Sequence, residues 1–346
     1  MMFARSHTDR RRPVKRAAIL VFCVIAVGTP FHSHAYQQYG VQVGNKIVRL
    51  KWNRMPVQYY IGNVGIPGVS ASQVQTAVDA AFTTWHDVQT AALSAQFAGY
   101  TTAQPTQDDG LSTIGFLADP QEPDVLGSTD WLIDDTTGEI VESDIFFNSA
   151  PVVPWSVAAN GESGHFDLQS IATHEIGHFW GLGHSALGET QQVTGGRRVI
   201  ARAAVMFPIA YSPGNILDRT LQADDIAGIS DLYPAGAFQS QTGSVTGQVT
   251  KDGKGVFGAH VVAFSPSAGT LIGNFTLDNS GAFTISGLAP GPVILRVEPV
   301  DDADLDSFFD DPSKVDVNFT IRYYGRFAIV PPSGSTPQIQ IQVTPK

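Results

Sequence analysis

The sequence predicts an α+β fold in which a mixed domain of helices and strands precedes an all-β sandwich domain. Two stretches, residues 70–88 and 167–180, carry apolar residues at helical spacing. Short runs with apolar residues at alternate positions lie around these stretches and predict strands. After residue 244 only short runs remain, split by Gly, Pro, Asn and Asp, which is the spacing of a β-sandwich.

Length and composition indicate a two-domain extracellular protein. The chain has 346 residues, only 15% of them charged, with 34 Gly and 21 Pro. Its net charge is −11, but residues 1–35 hold six basic residues and one acidic residue. The rest of the chain therefore has 15 basic and 31 acidic residues, a net charge of −16. So acidic a chain is not expected to bind nucleic acid or an anionic membrane surface.

The N-terminus has the pattern of a secretory signal peptide over residues 1–35. Residues 10–16 carry five basic side chains, and an apolar run of eleven follows at residues 17–27, too short to span a bilayer. Ser-His-Ala at residues 33–35 suits cleavage; an uncleaved anchor is the alternative. The single cysteine, Cys23, lies in this run, so the mature chain has no disulfide. We expect a secreted or extracellular monomer (periplasmic in a Gram-negative source) without a stable membrane span.

The first domain is predicted to contain strands and capped helices. Strands are expected at residues 46–51, 57–61 and 112–118. Ser70 or Ser72 can cap a helix to about residue 88, and Asp167 can cap a second through residue 180. A third helix is expected at residues 222–232, and residues 186–199 are expected to be a polar excursion.

Two further strands, at residues 128–133 and 140–147, flank a turn with hairpin chemistry. Asp134, Asp135 and Glu139 lie in or beside this turn, and their carboxylates could hold calcium. A solvated turn without a metal is the alternative, and it is the commoner reason for acidic residues at such a position.

The residues from His174 to His184 read H-E-x-x-H-x-x-G-x-x-H, a spacing that predicts a zinc site with its catalytic base. His174 and His178 are four residues apart, so both imidazoles leave one face of a helix. Gly181 can adopt positive φ, end the helix and let His184 approach the same metal. Three protein nitrogens and one open position are typical of catalytic zinc, and Glu175 can take a proton from a water molecule. A helix with three unrelated histidines is the alternative.

The motif, followed by Met206 in the turn Ala-Val-Met-Phe-Pro at residues 204–208, resembles the metzincin zinc peptidases and most closely their matrixin branch. The run Leu-Gln-Ala-Asp-Asp-Ile-Ala-Gly-Ile at residues 221–229 resembles the closing helix of matrixin catalytic domains. The resemblance covers roughly residues 46–234. It implies a metzincin catalytic domain at residues 36–234, built from a twisted mixed sheet and an active-site helix, with a linker at residues 235–243.

This resemblance also implies roles for the matching residues. His174, His178 and His184 would bind one catalytic zinc, and Glu175 would be the general base. Met206 would form the base of the metal site. Because few other histidines precede the motif, we do not predict the second, structural zinc of many family members.

The resemblance assigns substrate contacts as well. In matrixins an edge strand pairs with the substrate backbone, and the predicted strand at residues 140–147 resembles it, which places Ile140 and Ile145 at the substrate. The segment from Pro208 to Tyr211 would wall the pocket for the side chain after the scissile bond.

The C-terminal third, residues 244–346, resembles the carboxypeptidase regulatory-like (transthyretin-like) β-sandwich domains over residues 243–300. The matching runs are Gly-Gln-Val at 247–249, Gly-Ala-Phe-Thr-Ile at 281–285 and Leu-Ala-Pro-Gly at 288–291. Further strands are expected near residues 315–321 and 339–343. Asp302, Asp304 and Asp306 lack the glycine and glutamate of an EF-hand, so we interpret them as an acidic surface loop.

Together these patterns predict a secreted zinc-dependent endopeptidase acting on protein or peptide substrates. The alternative is a catalytically silent zinc-binding protein that acts in adhesion or binding through its C-terminal sandwich. The presence of Glu175 favours the enzyme, since a decayed site usually loses its base.

Overall fold

The computed structural model describes residues 38–346 apart from residues 44, 45, 120, 123, 151 and 195. The signal peptide predicted at residues 1–35 lies outside these described residues. Within the described part, none of the helices combines the length and the apolar character needed to cross a bilayer.

A five-stranded sheet forms the centre of the N-terminal part. The first seven strands are β1 Gly40–Val43, β2 Lys46–Arg49, β3 Val57–Gly62, β4 Ala95–Thr101, β5 Thr113–Leu117, β6 Gly127–Asp134 and β7 Glu139–Asn148. Strands β1 and β2 form a separate antiparallel hairpin. The others lie in the order β4-β3-β5-β7-β6, and only β6 runs antiparallel to its neighbour. The mixed sheet implied by the resemblance is therefore present.

The prediction that the strand at residues 140–147 forms the sheet edge is wrong. These residues belong to β7, which pairs with β5 on one side and β6 on the other, so β6 is the outer strand. The resemblance had assigned the edge position to the wrong strand of the hairpin, and β7 carries two acidic residues, Glu142 and Asp144, that are buried inside the sheet. Backbone N–H groups at and just before the start of β5 satisfy them: Gly110 N donates to Glu142 at 2.7 Å, and Thr113 N donates to Asp144 at 2.7 Å.

The N-terminal part also contains helices, of which the first two contact this sheet. They are α1 Ala71–His86, α2 Leu168–Phe179, α3 Ala223–Leu232 and the short α4 Phe238–Gln241. Ser70 caps α1 through a capping box with Gln73, and Asp167 caps α2 by accepting a bond from Ser170 N, so both predicted caps are confirmed. The buried Trp85 of α1 donates to the carbonyl of Thr173 at 2.8 Å, which joins the two long helices.

Some strands were not predicted. Strand β4 has half-exposed residues alternating with exposed ones and a bulge at Gly99, so its apolar pattern is weak. The polar stretch after the metal motif forms a hairpin, and among the described residues of its two strands only Val199 is both apolar and buried. The strands of this middle part are β8 Trp155–Ser156, β9 Phe166–Asp167, β10 Gly188–Val193 and β11 Gly196–Arg202.

Two five-stranded sheets make up the C-terminal part. Their strands are β12 Gly243–Lys251, β13 Lys254–Gly255, β14 His260–Ser265, β15 Thr270–Phe275, β16 Ala282–Leu288, β17 Gly291–Glu298, β18 Arg322–Tyr323, β19 Ala328–Val330, β20 Gly334–Ser335 and β21 Ile339–Val343. One sheet has the order β13-β12-β16, with β20 and β21 also paired to β12; the other has β15-β14-β17-β18, with β19 on β17. The strand expected at residues 315–321 is wrong, because those residues are loop.

Candidate metal centre

The three predicted ligands converge on one point. Helix α2 carries His174 and His178 one turn apart, and their Nε2 atoms are 3.1 Å from each other. The helix ends after residue 179, and Gly181 has φ +98°, as the motif predicted. His184 then comes back beneath the helix, and its Nε2 lies 3.2 Å from that of His178. Within the described residues, these histidines form the only group of three or more metal-ligating side chains.

The opposite ring nitrogen of each histidine faces a backbone carbonyl. The Nδ1 atoms lie 2.8 Å from Val205 O, 2.8 Å from Leu182 O and 2.7 Å from Ser307 O, for His174, His178 and His184 in that order. A carbonyl oxygen can only accept, so each Nδ1 carries the proton. Each neutral imidazole therefore turns an unprotonated Nε2 towards the other two.

Burial keeps these imidazoles neutral. The three rings are 0–4% exposed. Burial lowers the pKa of His174 and His178 well below the usual value, and that of His184 to about 4. Three convergent lone pairs repel one another, and a cation bound by all three relieves that repulsion. Tetrahedral zinc, with Zn–N of about 2.0–2.1 Å, sets its nitrogens about 3.3 Å apart, so the donor set fits zinc.

Glu175 follows the first ligand in sequence, and its side chain points towards strand β6. Its Oε2 accepts the hydroxyl of Thr129 at 2.8 Å, while Oε1 accepts no hydrogen bond from a described residue. The side chain is only 1% exposed. Burial raises its pKa to about 8; Asp130 adds to this rise and the Thr129 bond opposes it. A buried carboxyl with one uncommitted oxygen is chemically suited to exchange a proton.

Met206 lies under the ligand helix. A Cβ added to Gly177, between the two helical ligands, would come within 2.2 Å of Met206 Sδ, so the sulfur packs directly on that glycine. Asp225 of α3 holds the turn: it accepts Val205 N at 2.8 Å and Met206 N at 3.1 Å. The same turn provides the carbonyl that faces His174, so α3 indirectly fixes the first ligand.

The residues predicted to touch substrate occupy two kinds of position. Ile140 and Ile145 are 1% and 0% exposed inside β7, so they do not lie on the sheet edge. Pro208 is buried and Tyr211 is half-buried, with the Arg202 guanidinium 5.0 Å above its ring. Sequence reasoning missed three groups at the site: Thr129, Asp225 and the carbonyl of Ser307. The acidic pair that opens α3 was the only local signal for one of them.

Three convergent imidazoles beside a buried glutamate are the arrangement of a metal-dependent hydrolase. The chain belongs to the matrixin family, because the family model described as Matrixin matches residues 51–234, more than half of it. Membership of this family supports a zinc metalloendopeptidase in general terms.

The curated relatives agree with this assignment at low identity. Metalloendoproteinase 1-MMP of Arabidopsis thaliana is 28% identical over 199 residues, 53% of this chain and 44% of the relative. Metalloendoproteinase 5-MMP of the same plant is 33% identical over 130 residues, 36% and 26% of the two chains. Matrilysin of Rattus norvegicus is 36% identical over 74 residues, 21% and 22%. The chain thus spans less than half the length of each of these relatives.

Proposed function

We propose that this protein is a secreted zinc endopeptidase in which Glu175 is the general base. The observation that carries the proposal is the convergence of three unprotonated Nε2 atoms beside a buried carboxyl with one uncommitted oxygen. When bound by the three histidines, zinc supplies Lewis-acid polarisation of the scissile carbonyl and a lower pKa for the attacking water.

The remaining steps belong to the chain's own residues. Glu175 accepts the proton of the attacking water and then donates it to the leaving amine. Thr129 holds Oε2, which leaves Oε1 to face the water.

We place the substrate backbone on β6 rather than β7. Strand β6 is the outer strand of the sheet and carries Thr129, so a peptide that extends the sheet there runs beside Glu175. Gly127 of the same strand comes so close that an added Cβ would lie 3.1 Å from Glu175 Oε1. The segment from Pro208 to Tyr211 remains our proposed wall for the side chain after the scissile bond.

The finer domain assignments are part of the proposal. We assign residues 36–234 to catalysis and residues 244–346 to a β-sandwich. The support for the sandwich is that inward residues of both C-terminal sheets, such as Val245, Phe283, Val261 and Leu295, are 0–1% exposed in one buried cluster. Calcium at the turn after β6 stays a prediction, and Asp134 there accepts the N–H and hydroxyl of Thr136.

The experiment is cleavage of casein and of a quenched peptide library by the mature protein, beside Glu175→Gln. Glutamine keeps the shape and can still accept the Thr129 bond, but it cannot take a proton. We expect kcat/KM to fall by about 10²–10⁴-fold, with zinc content measured as unchanged. Glu162→Gln, the same change in a half-exposed side chain before α2, is the matched control and should retain full activity.

Two outcomes separate the enzyme from the alternative. Zinc-loaded wild type without activity on any peptide would overturn the proposal and favour an adhesion or binding protein. Activity that survives in Glu175→Gln would keep the peptidase but remove Glu175 as its base.

A further inference from the structure

The acceptor of the third histidine lies in the C-terminal part of the chain. Val205 and Leu182, which face the first two histidines, belong to the catalytic part. Ser307, whose carbonyl oxygen is 2.7 Å from His184 Nδ1, is 123 positions further along the chain. It lies in a short 3₁₀ turn, Leu305–Ser307, which follows strand β17 in the chain. This contact joins the two parts of the molecule at the metal centre itself.

The turn that presents this carbonyl is fixed by its own bonds and by packing. Ser307 N donates to Asp304 O at 2.9 Å, and Phe309 N donates to Leu305 O at 2.9 Å. Phe308, 3% exposed, has its ring centre 6.5 Å from that of His184. It belongs to a buried cluster that unites residues of both parts, namely Val199, Phe207, Ile209, Phe275, Val300, Ala303, Phe308 and Phe309.

Polar contacts flank the cluster. Asp302 accepts the backbone N–H of Thr190 at 2.6 Å and faces its hydroxyl at 3.1 Å, so the hairpin of β10 and β11 is tied to the same segment. Arg197 of that hairpin donates to the carbonyl of Asp301 at 2.9 Å. On α3, Asp224 accepts Gly273 N of β15 at 2.8 Å. The interpretation of residues 302–306 as a solvated acidic loop therefore fails at Asp302.

We infer that the segment from Asp302 to Phe309 is a positioning element of the metal centre, which fixes the ring and tautomer of His184 through the carbonyl of Ser307. This inference rests on the proposed zinc site. A carbonyl that accepts the Nδ1 proton of a ligand histidine orients the ring and raises its basicity, and loss of such a partner weakens metal binding by about 10–100-fold. The C-terminal part is thus a component of the centre rather than an attached binding module.

The test compares two buried phenylalanines of the C-terminal part in the full chain. Phe308→Ala loosens the turn beside His184, whereas Phe319→Ala removes a similarly buried ring next to Thr320, whose N–H donates to the carbonyl of Thr344. Zinc affinity is measured by competition with a chelator. We expect a 10–100-fold loss in Phe308→Ala, and a change of less than about twofold in Phe319→Ala despite a similar loss of thermal stability.

Ligand geometry is read separately from affinity. The visible absorption of the Co²⁺-substituted protein reports the coordination of the metal, and we expect it to change in Phe308→Ala but not in Phe319→Ala. Phe308→Leu, which keeps most of the buried volume, should restore both readouts. Asp302→Ala, which removes the tie to Thr190 without opening a cavity, is the second variant if Phe308→Ala does not fold, and it should also weaken zinc binding.

The outcomes distinguish the proposed zinc site from the positioning role of the segment from Asp302 to Phe309. Wild type that binds no zinc overturns the proposed function. Wild type that binds zinc, with Phe308→Ala and Asp302→Ala unchanged in affinity and Co²⁺ spectrum, overturns the positioning role and leaves the peptidase intact. Equal losses in the Phe308 and Phe319 variants show a general effect of stability and overturn it too.

Discussion

The histidines of α2 and the histidine beyond it reach the same point by different means. His174 and His178 are placed by one turn of helix, and their carbonyl partners lie in the same part of the chain. His184 depends on a glycine turn and on Ser307, in the C-terminal part. A motif of eleven residues can therefore specify which side chains bind the metal, while the orientation of one of them depends on a residue 123 positions away in the chain.

The largest effect should come from breaking the glycine turn. Gly181 has φ +98°, and a Cβ there would lie 2.4 Å from the carbonyl oxygen of Leu50. Gly181→Ala therefore adds a backbone clash to the strain of positive φ, which alone costs about 1–2 kcal/mol. We expect zinc affinity by chelator competition to collapse, because two oriented histidines remain without the third.

The matched control for that change is Gly68→Ala. Gly68 has φ +88°, but an added Cβ would meet nothing within 4 Å. The Gly68→Ala variant should lose only about 1–2 kcal/mol of unfolding free energy and keep its zinc affinity. Equal zinc affinity in the two variants would contradict the role of the turn in placing His184.

The helical half can be tested at Gly177. A Cβ added at Gly177 would lie 2.2 Å from Met206 Sδ and 2.9 Å from Trp85 Cζ2. Gly177→Ala therefore overpacks the base of the metal site, and we expect it to lower the free energy of unfolding by about 1–3 kcal/mol. Shortening the methionine makes room, so Gly177→Ala with Met206→Ala should be less destabilised than the two single changes predict. A double-mutant cycle by chemical denaturation should give a coupling of about 0.5–3 kcal/mol. Simple additivity would mean that the sulfur does not press on the helix.

The smallest expected effect concerns the hydrogen bond between Asp224 of α3 and Gly273 of β15. Burial raises the pKa of Asp224 to about 7 from 3.8, and Asp225 adds to the rise while the bond from Gly273 N opposes it. The folded protein therefore favours the protonated acid. The stability this gives is complete below about pH 4 and is lost as the pH rises through 7.

Asp224→Asn stays neutral and can still accept the Gly273 bond, so it isolates this titration. The melting temperature of the variant minus that of wild type should rise between pH 4 and pH 7 and level off above. Both proteins are measured with chelator, so that histidine titration contributes equally to each. A difference that does not vary with pH would show that Asp224 does not titrate in this range.

Sequence predicted the chemistry of the site better than its surroundings. The spacing of the motif was sufficient to place three nitrogens, the glutamate and the glycine turn, because these depend on local geometry. The caps at Ser70 and Asp167 were also local and correct. The order of strands across the sheet is not local, and the resemblance assigned the edge position to β7, whereas β6 is the outer strand.

The contact at Ser307 had no sequence signal of any kind. A backbone carbonyl can come from any residue type, and the pairing depends on the packing of Phe308 against side chains more than a hundred positions earlier. Hydrophobic periodicity and secondary-structure propensity describe how a segment folds by itself. They do not describe which segment it will meet.

The separation of His184 from Ser307 also sets an order of events when the protein is made. The ribosome adds Ser307 long after the histidine, 123 positions later. The helix forms from neighbours in sequence, whereas the distant contact closes only when the C-terminal sheets have assembled. The ring of His184 therefore gains its carbonyl partner only after the C-terminal sheets have folded.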